Sequence, residues 1–178
     1  MSEPKTIIIM TGSVRPNSVS KVLLPVVKEL VEIEGAKAEI ANLEDLNLPF
    51  FDGESSPASD DFVISHQSVQ DWSNMVSQVD GVIMLTPEYN NQLSGVQKNA
   101  IDWLYKEWQD KPISAACYGW GGGELSGDLL KKLIVKVGGK VSEPFSHLYF
   151  TKDISTDGLL IDETSARDKI TLSIKNLL

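Results

Sequence analysis

The sequence is short of the residues that crosslink chains or hold metals. Its 178 residues include one cysteine, Cys117, and two histidines, His66 and His147. A lone cysteine excludes an intrachain disulfide and a thiolate metal cluster. The histidines stand far apart with no second ligand at metal-site spacing, so no metal site is expected. Neither has a visible serine and carboxylate partnership in the sequence, which disfavours a hydrolytic triad. Long apolar runs are missing too. Nothing approaches the ~20 residues of a membrane-spanning helix, and the apolar stretch near the start is shorter than the ~7–15-residue core of a signal peptide. The expectation is a soluble, cytoplasmic protein.

Positive charge is scarce as well. Sixteen Lys and Arg face 25 Asp and Glu, for a formal charge of −9. Nucleic acid and anionic membranes both need clustered Lys and Arg, so neither is expected as a partner. A local site for one small anion remains open. The Walker pattern G-x-x-x-x-G-K-[ST] is absent, which disfavours nucleoside triphosphate hydrolysis, and so is the dinucleotide fingerprint G-x-G-x-x-G.

What the chain does have is a regular alternation of strand and helix signals. Its length and 42% hydrophobic content suit a single domain over 1–178. Thr6–Met10 is an isoleucine-rich run of the kind a strand buried on both faces needs. Val19 to Val31 repeats apolar residues at three- and four-residue spacing, a helix face ending near Gly35. Pro25 falls beyond its first turn and predicts a kink or an irregular segment. Further strands are expected at Ala38–Leu43, Val82–Leu85, Ile113–Cys117 and, last, Val141 with Phe145–Phe150. Helices are expected at Phe62–Gln78, after a Ser94/Gln97 capping box, at Leu125–Lys136 and over 163–177. Trp103, Tyr105 and Trp108 would lie on one of these helices, as core or as a subunit interface. Cys117 ends a buried strand and reads as a small core residue. Five β-α units imply a mostly parallel sheet with helices on both faces. The common order is 2-1-3-4-5, with ligands at the crevice where the order reverses between strands 1 and 3.

Three polar loops converge on that crevice. The first, TGSVRPNS at 11–18, offers hydroxyls, the Asn17 amide and the Arg15 guanidinium where a helix points its positive end. An ordinary strand-to-helix turn, capped at Asn17 or Ser18, has no task for an arginine. A phosphate does. The second loop, Thr86–Asn91, places a rigid proline before acceptor, aromatic and amide groups, which suits the edge of a flat heteroaromatic ring. The third, YGWGGG at 118–123, combines close backbone approach with two aromatics.

Together these residues resemble the NADPH-dependent FMN reductase family of the flavodoxin-like fold, whose members include azo and quinone reductases. The resemblance rests on GSVRPNS, LPFFD at 48–52, LTPEYNNQLSGVQKNAIDWL at 85–104, the glycine-rich turn, and DGLLID at 157–162. It implies that FMN phosphate is held by Ser13, Arg15, Asn17 and Ser18, with Val19 beside them. It implies further that Pro87, Glu88, Tyr89 and Asn90 line the isoalloxazine, and that Tyr118, Gly119, Trp120, Gly121 and Gly122 border its other edge. The expected reaction takes hydride from NADPH or NADH onto the flavin and passes electrons to a small-molecule acceptor, a flavin, quinone or azo compound, with no catalytic side chain. The expected assembly is a homodimer or homotetramer, with Lys98–Trp108 at the interface. YGWGGG departs from the family's usual serine- or glycine-led turn, so Tyr118 and Trp120 are expected to shape acceptor choice. Two rival readings are a flavodoxin-type electron carrier and a flavin-dependent sensor with little reductase activity.

Overall fold

The structure, a computed structural model, describes residues 3–178. Four parallel strands are laid side by side in the order β2 (Lys37–Ala41), β1 (Thr6–Thr11), β3 (Gly81–Pro87) and β4 (Pro112–Gly119). β1 pairs with β2 from Thr6 opposite Lys37 and with β3 from Ile7 opposite Gly81. β3 pairs with β4 from Val82 opposite Ile113. The expected 2-1-3-4-5 order is present. Its fifth position is divided: β5 (Lys140–Val141) pairs with the start of β4, and β6 (Ser146–Tyr149) pairs with its end. The one strand expected over this stretch is thus two short ones. The interruption contains Pro144, which has no N–H to continue a ladder.

The continuous apolar runs lie in the middle of the sheet, where both faces are covered. Every residue of β3 is buried, and β1 is buried after Thr6. The edge strand β2 buries only Ala41. Alternate residues feed two separate cores, as the pleat requires. Ile8, Met10, Val82, Met84, Ala115 and Cys117 face α3 (Gln67–Ser77), α4 (Gly95–Asp102) and α5 (Glu124–Lys136). Ile7, Ile9, Ile83, Leu85, Ala116 and Tyr118 face α1 (Val19–Ile33) and α6 (Glu163–Lys175).

Several local expectations are corrected. The second strand stops at Ala41 and a short helix, α2 (Leu43–Leu46), follows, where Leu43 was expected to continue the strand. α3 starts at Gln67 rather than Phe62. α1 runs through Pro25 without a break, because Pro25 sits on the exposed face and leaves the stripe of Leu23, Val27, Leu30 and Val31 intact. α4 ends at Asp102, so Trp103, Tyr105 and Trp108 do not share a helix. Trp103 and Trp108 are fully buried in this chain's own core, their indole N–H groups donating to Pro49 O (2.7 Å) and Ile101 O (3.0 Å). They are core residues rather than contact residues. β4 extends to Gly119, which puts Tyr118 and Gly119 in the strand and shortens the turn to 120–123.

Candidate functional site

The carboxyl edges of β1, β3 and β4 meet at the point where the strand order reverses, and their three loops lie side by side. Gly12 lets the first loop cross the end of β3. A Cβ there would stand 2.3 Å from Leu85 O and 2.5 Å from Pro87 Cδ, so no side chain fits. The Ser94 hydroxyl donates to Gly12 O and accepts from Gln97 N–H (3.2 Å). The N-cap of α4 therefore also holds the first loop in place. Thr11 turns away, bonding Asn42 and the Leu43 N–H, and is engaged with the segment after β2.

Beyond Gly12 the loop leaves α1 open at its positive end. Ser18 is the N-cap, yet its side chain accepts no hydrogen bond from a first-turn N–H, only a long one from the Ser20 hydroxyl (3.5 Å). Lys21 N–H bonds Ser18 O, while the Val19 and Ser20 N–H groups find no acceptor among the described residues. Unfilled first-turn donors and the helix dipole together make a site for an anion. Ser13, Ser18 and Val19 are buried around it, and Arg15 and Asn17 stand exposed at its mouth. Arg15 makes no ion pair among the described residues, so its charge is available to a ligand. The Arg15 N–H donates to Ser13 Oγ (3.3 Å), which shapes the curl of the loop.

The loop after β3 reaches back to the first one. Tyr89 OH and Ser13 Oγ are 2.7 Å apart. Tyr89 also pairs through its backbone with Gln92, closing a tight turn whose centre, Asn90 and Asn91, adopts positive φ of 51° and 64°. Asparagine tolerates that conformation better than most residues. Glu88 has a task that no local sequence signal announces. Its carboxylate accepts from the N–H groups of Leu125 (3.0 Å) and Ser126 (3.2 Å), capping α5, and its own N–H donates to Tyr118 O (3.1 Å). The side chain ties the second loop to the third.

The third loop is clamped from the far side by β6. Gly122, at φ 66°, lies against the Tyr149 ring, where a Cβ would meet Cζ at 2.7 Å. The His147 Nδ1–H donates to Gly122 O (3.1 Å), and the Tyr149 hydroxyl donates to Glu124. That bond to a carboxylate, with some burial, raises the Tyr149 pKa. Trp120 projects from the turn with 72% of its surface exposed, held edge-on by Phe150 at 5.6 Å. Gly121 lies beside Glu88. Tyr118 is different in kind: its ring is buried in the core under α1, only 3% exposed. Cys117 next to it is fully buried, and burial pushes its thiol up to about 12, which leaves it a core residue without thiolate character.

The sequence-predicted residues are thus brought to one edge, with Tyr118 beneath it and Glu88 bracing it. Sequence reasoning missed Tyr149 and His147, which brace the turn, and the Gln97 side chain, which donates to Thr86 Oγ1 (3.1 Å) behind Gly12. Gln97 was visible only as half of a capping box. A separate cavity of about 380 Å³ borders the same edge on the α4 side, between Val14, Leu48, Phe50 and Val96. The edge as a whole can hold an anion at α1 and a planar group between the second and third loops.

Comparison with known proteins bears on the family and the fold. A family model described as NADPH-dependent FMN reductase matches residues 5–145. An NAD(P)H-dependent FMN reductase of Saccharomyces cerevisiae is 32% identical over 138 residues, covering 71% of each chain. A quinone reductase of Escherichia coli is 32% identical over 120 residues, covering 64% of this chain and 57% of its own length. Among solved structures, the FerB flavoenzyme NAD(P)H:(acceptor) oxidoreductase of Paracoccus denitrificans superposes with a TM-score of 0.71 at 28% identity, over 96% of this chain and 97% of its own.

Proposed function

This chain belongs to the NADPH-dependent FMN reductase family, and from that premise we propose that it is an FMN-dependent NAD(P)H oxidoreductase that reduces small acceptors such as quinones, azo compounds or free flavin. The observation that carries the proposal is the uncapped start of α1, with Arg15 unpaired beside it, at the reversal point of the sheet.

The residues present fit the cofactor. Ser13, Arg15, Asn17, Ser18 and the Val19 N–H hold the FMN phosphate, replacing water on donors that the fold leaves free. The backbone of Pro87, Glu88, Tyr89 and Asn90 follows one edge of the isoalloxazine, and Gly119 to Gly122 follow the other, where glycine permits close approach. FMN held there would supply the redox chemistry, hydride transfer between a nicotinamide and the acceptor. The chain's own part is to fix the ring by two loops that Glu88 locks together, and to offer Trp120 as an exposed aromatic surface beside the ring for planar acceptors. Assembly as a homodimer or homotetramer belongs to the same proposal, supported by the exposed Phe50 at the rim of the 380 Å³ cavity.

The test is direct. Purified protein should be yellow, or should become so with added FMN, and its flavin absorbance should bleach on adding NADPH without air. NADPH oxidation should then proceed with a naphthoquinone and no partner protein. A chain that takes up no FMN, or takes it up and leaves NADPH untouched, would contradict the proposal.

A further inference from the structure

Three buried polar side-chain atoms have no hydrogen-bond partner among the described residues, Gln97 Oε1, Ser114 Oγ and the Tyr118 hydroxyl, and of these the Tyr118 hydroxyl belongs to the last large side chain of β4. Such a group is costly to leave unmade, and in native structures it calls for an explanation. Tyr118 is the last large residue of β4 on the α1 side, packed in the core with Val19 and Leu23 of α1. Its hydroxyl faces Ser20 in the first turn of that helix without closing a bond of ordinary geometry to it. The orphan hydroxyl therefore lies at the same helix end where the Val19 and Ser20 N–H groups are unfilled. Orphan donors from two elements, β4 and α1, converge on one spot.

We propose that Tyr118 is a phosphate-anchoring residue: its hydroxyl donates a hydrogen bond to an oxygen of the FMN phosphate held at the start of α1. This rests on the reading of the first loop as the FMN phosphate site and gives Tyr118 a role other than stacking on the ring. The direction of the bond follows from chemistry. A phosphate oxygen accepts only, and burial raises the phenol's pKa, so Tyr118 keeps the proton it donates. The Ser13 and Tyr89 hydroxyls also meet at this edge of the sheet. That pair has one O–H free whichever partner donates, so it too can turn toward the anion.

The proposal has a signature that a merely structural tyrosine cannot give. Tyr118→Phe removes an unpaired buried hydroxyl and keeps the ring. Full-length protein freed of flavin should melt at the wild-type temperature or above it, because replacing an unsatisfied polar group by an apolar one of the same shape is neutral or stabilising. The same variant should bind FMN about tenfold to a hundredfold more weakly in a fluorescence titration, the range for a hydrogen bond to a charged group. Its affinity for riboflavin, which lacks the phosphate, should be unchanged. Unchanged FMN affinity in Tyr118→Phe would overturn the proposal. Equal losses for FMN and riboflavin would overturn it also, by placing the hydroxyl on the ribityl chain or the ring. A lower melting temperature in the ligand-free variant would show a structural bond instead. If the wild type binds FMN no better than riboflavin, the phosphate reading of the first loop fails, and this inference with it.

Discussion

Replacing Arg15 by alanine removes a charge that the fold does not use. The side chain is exposed and makes no ion pair among the described residues, so Arg15→Ala should leave the melting temperature of the ligand-free protein within about a degree of wild type, as surface substitutions do. FMN binding should weaken by about 1.5–3 kcal/mol, the scale of a charge-assisted hydrogen bond. Fluorescence titration of both proteins measures it, and equal affinities would take Arg15 out of the phosphate site. Arg15 was legible in the sequence for the same physical reason: a strand-to-helix turn needs no guanidinium. Glu88 was not. Its neighbours in sequence suggest an acceptor at a ring edge, but the N–H groups it caps belong to Leu125 and Ser126, which only the sheet brings alongside. A residue whose task lies across a crossover leaves no local trace.

Elements tell a similar story about the segment after β6. The Asp153 carboxylate is buried, accepting from the Tyr149 N–H (2.9 Å) and from Lys169 Nζ of α6 (2.6 Å). It fixes the turn that starts where the Tyr149 ring supports Gly122. Burial pushes its pKa up, but the Lys169 and backbone hydrogen bonds, with the charges of Lys169 and Lys152, outweigh this and hold it below the usual carboxylate range. A depressed pKa in the folded state means stability that is present above the unfolded value of ~3.9 and lost as pH falls through the folded one. Urea melts should therefore show wild type losing this contribution below about pH 4, while Asp153→Asn loses it at every pH. The variant should be less stable at pH 7 by about 1–3 kcal/mol, moderated because half-exposed Lys169 regains water. The gap should narrow toward pH 2. A constant gap would assign Asp153 a role independent of its charge. None of this could be read from TKDIS as a string, since Lys169 lies a helix away. The amphipathic stripe of α1 was legible even through Pro25, because the apolar spacing, not the proline, decides which face is buried.

At the scale of the molecule, the two-sided burial follows from apolar runs that are too continuous for a sheet wetted on one face, and the strand order from the β-α alternation, whose common five-stranded order is 2-1-3-4-5. The split of the fifth position and the late start of α3 did not follow, because both depend on where the irregular segments at 47–66 and 142–145 pack. The same topology makes one more expectation specific. The proposed phosphate donors lie after β1, the ring-lining groups after β3 and β4, and their support on α5, β6 and the turn of Asp153. A ligand bound there is held by segments from both cores and is lost when either opens, so its free energy adds to cooperative unfolding. FMN at a hundred times its dissociation constant should stabilise the protein by about 2.7 kcal/mol. For a chain of this size that is a rise of roughly 5–10 °C in melting temperature, growing with the logarithm of FMN concentration. Riboflavin at the same concentration should give a clearly smaller rise, since it leaves the start of α1 unfilled. Equal rises with and without the phosphate would mean that the ring alone is recognised, and that the open end of α1 has no part in holding the cofactor.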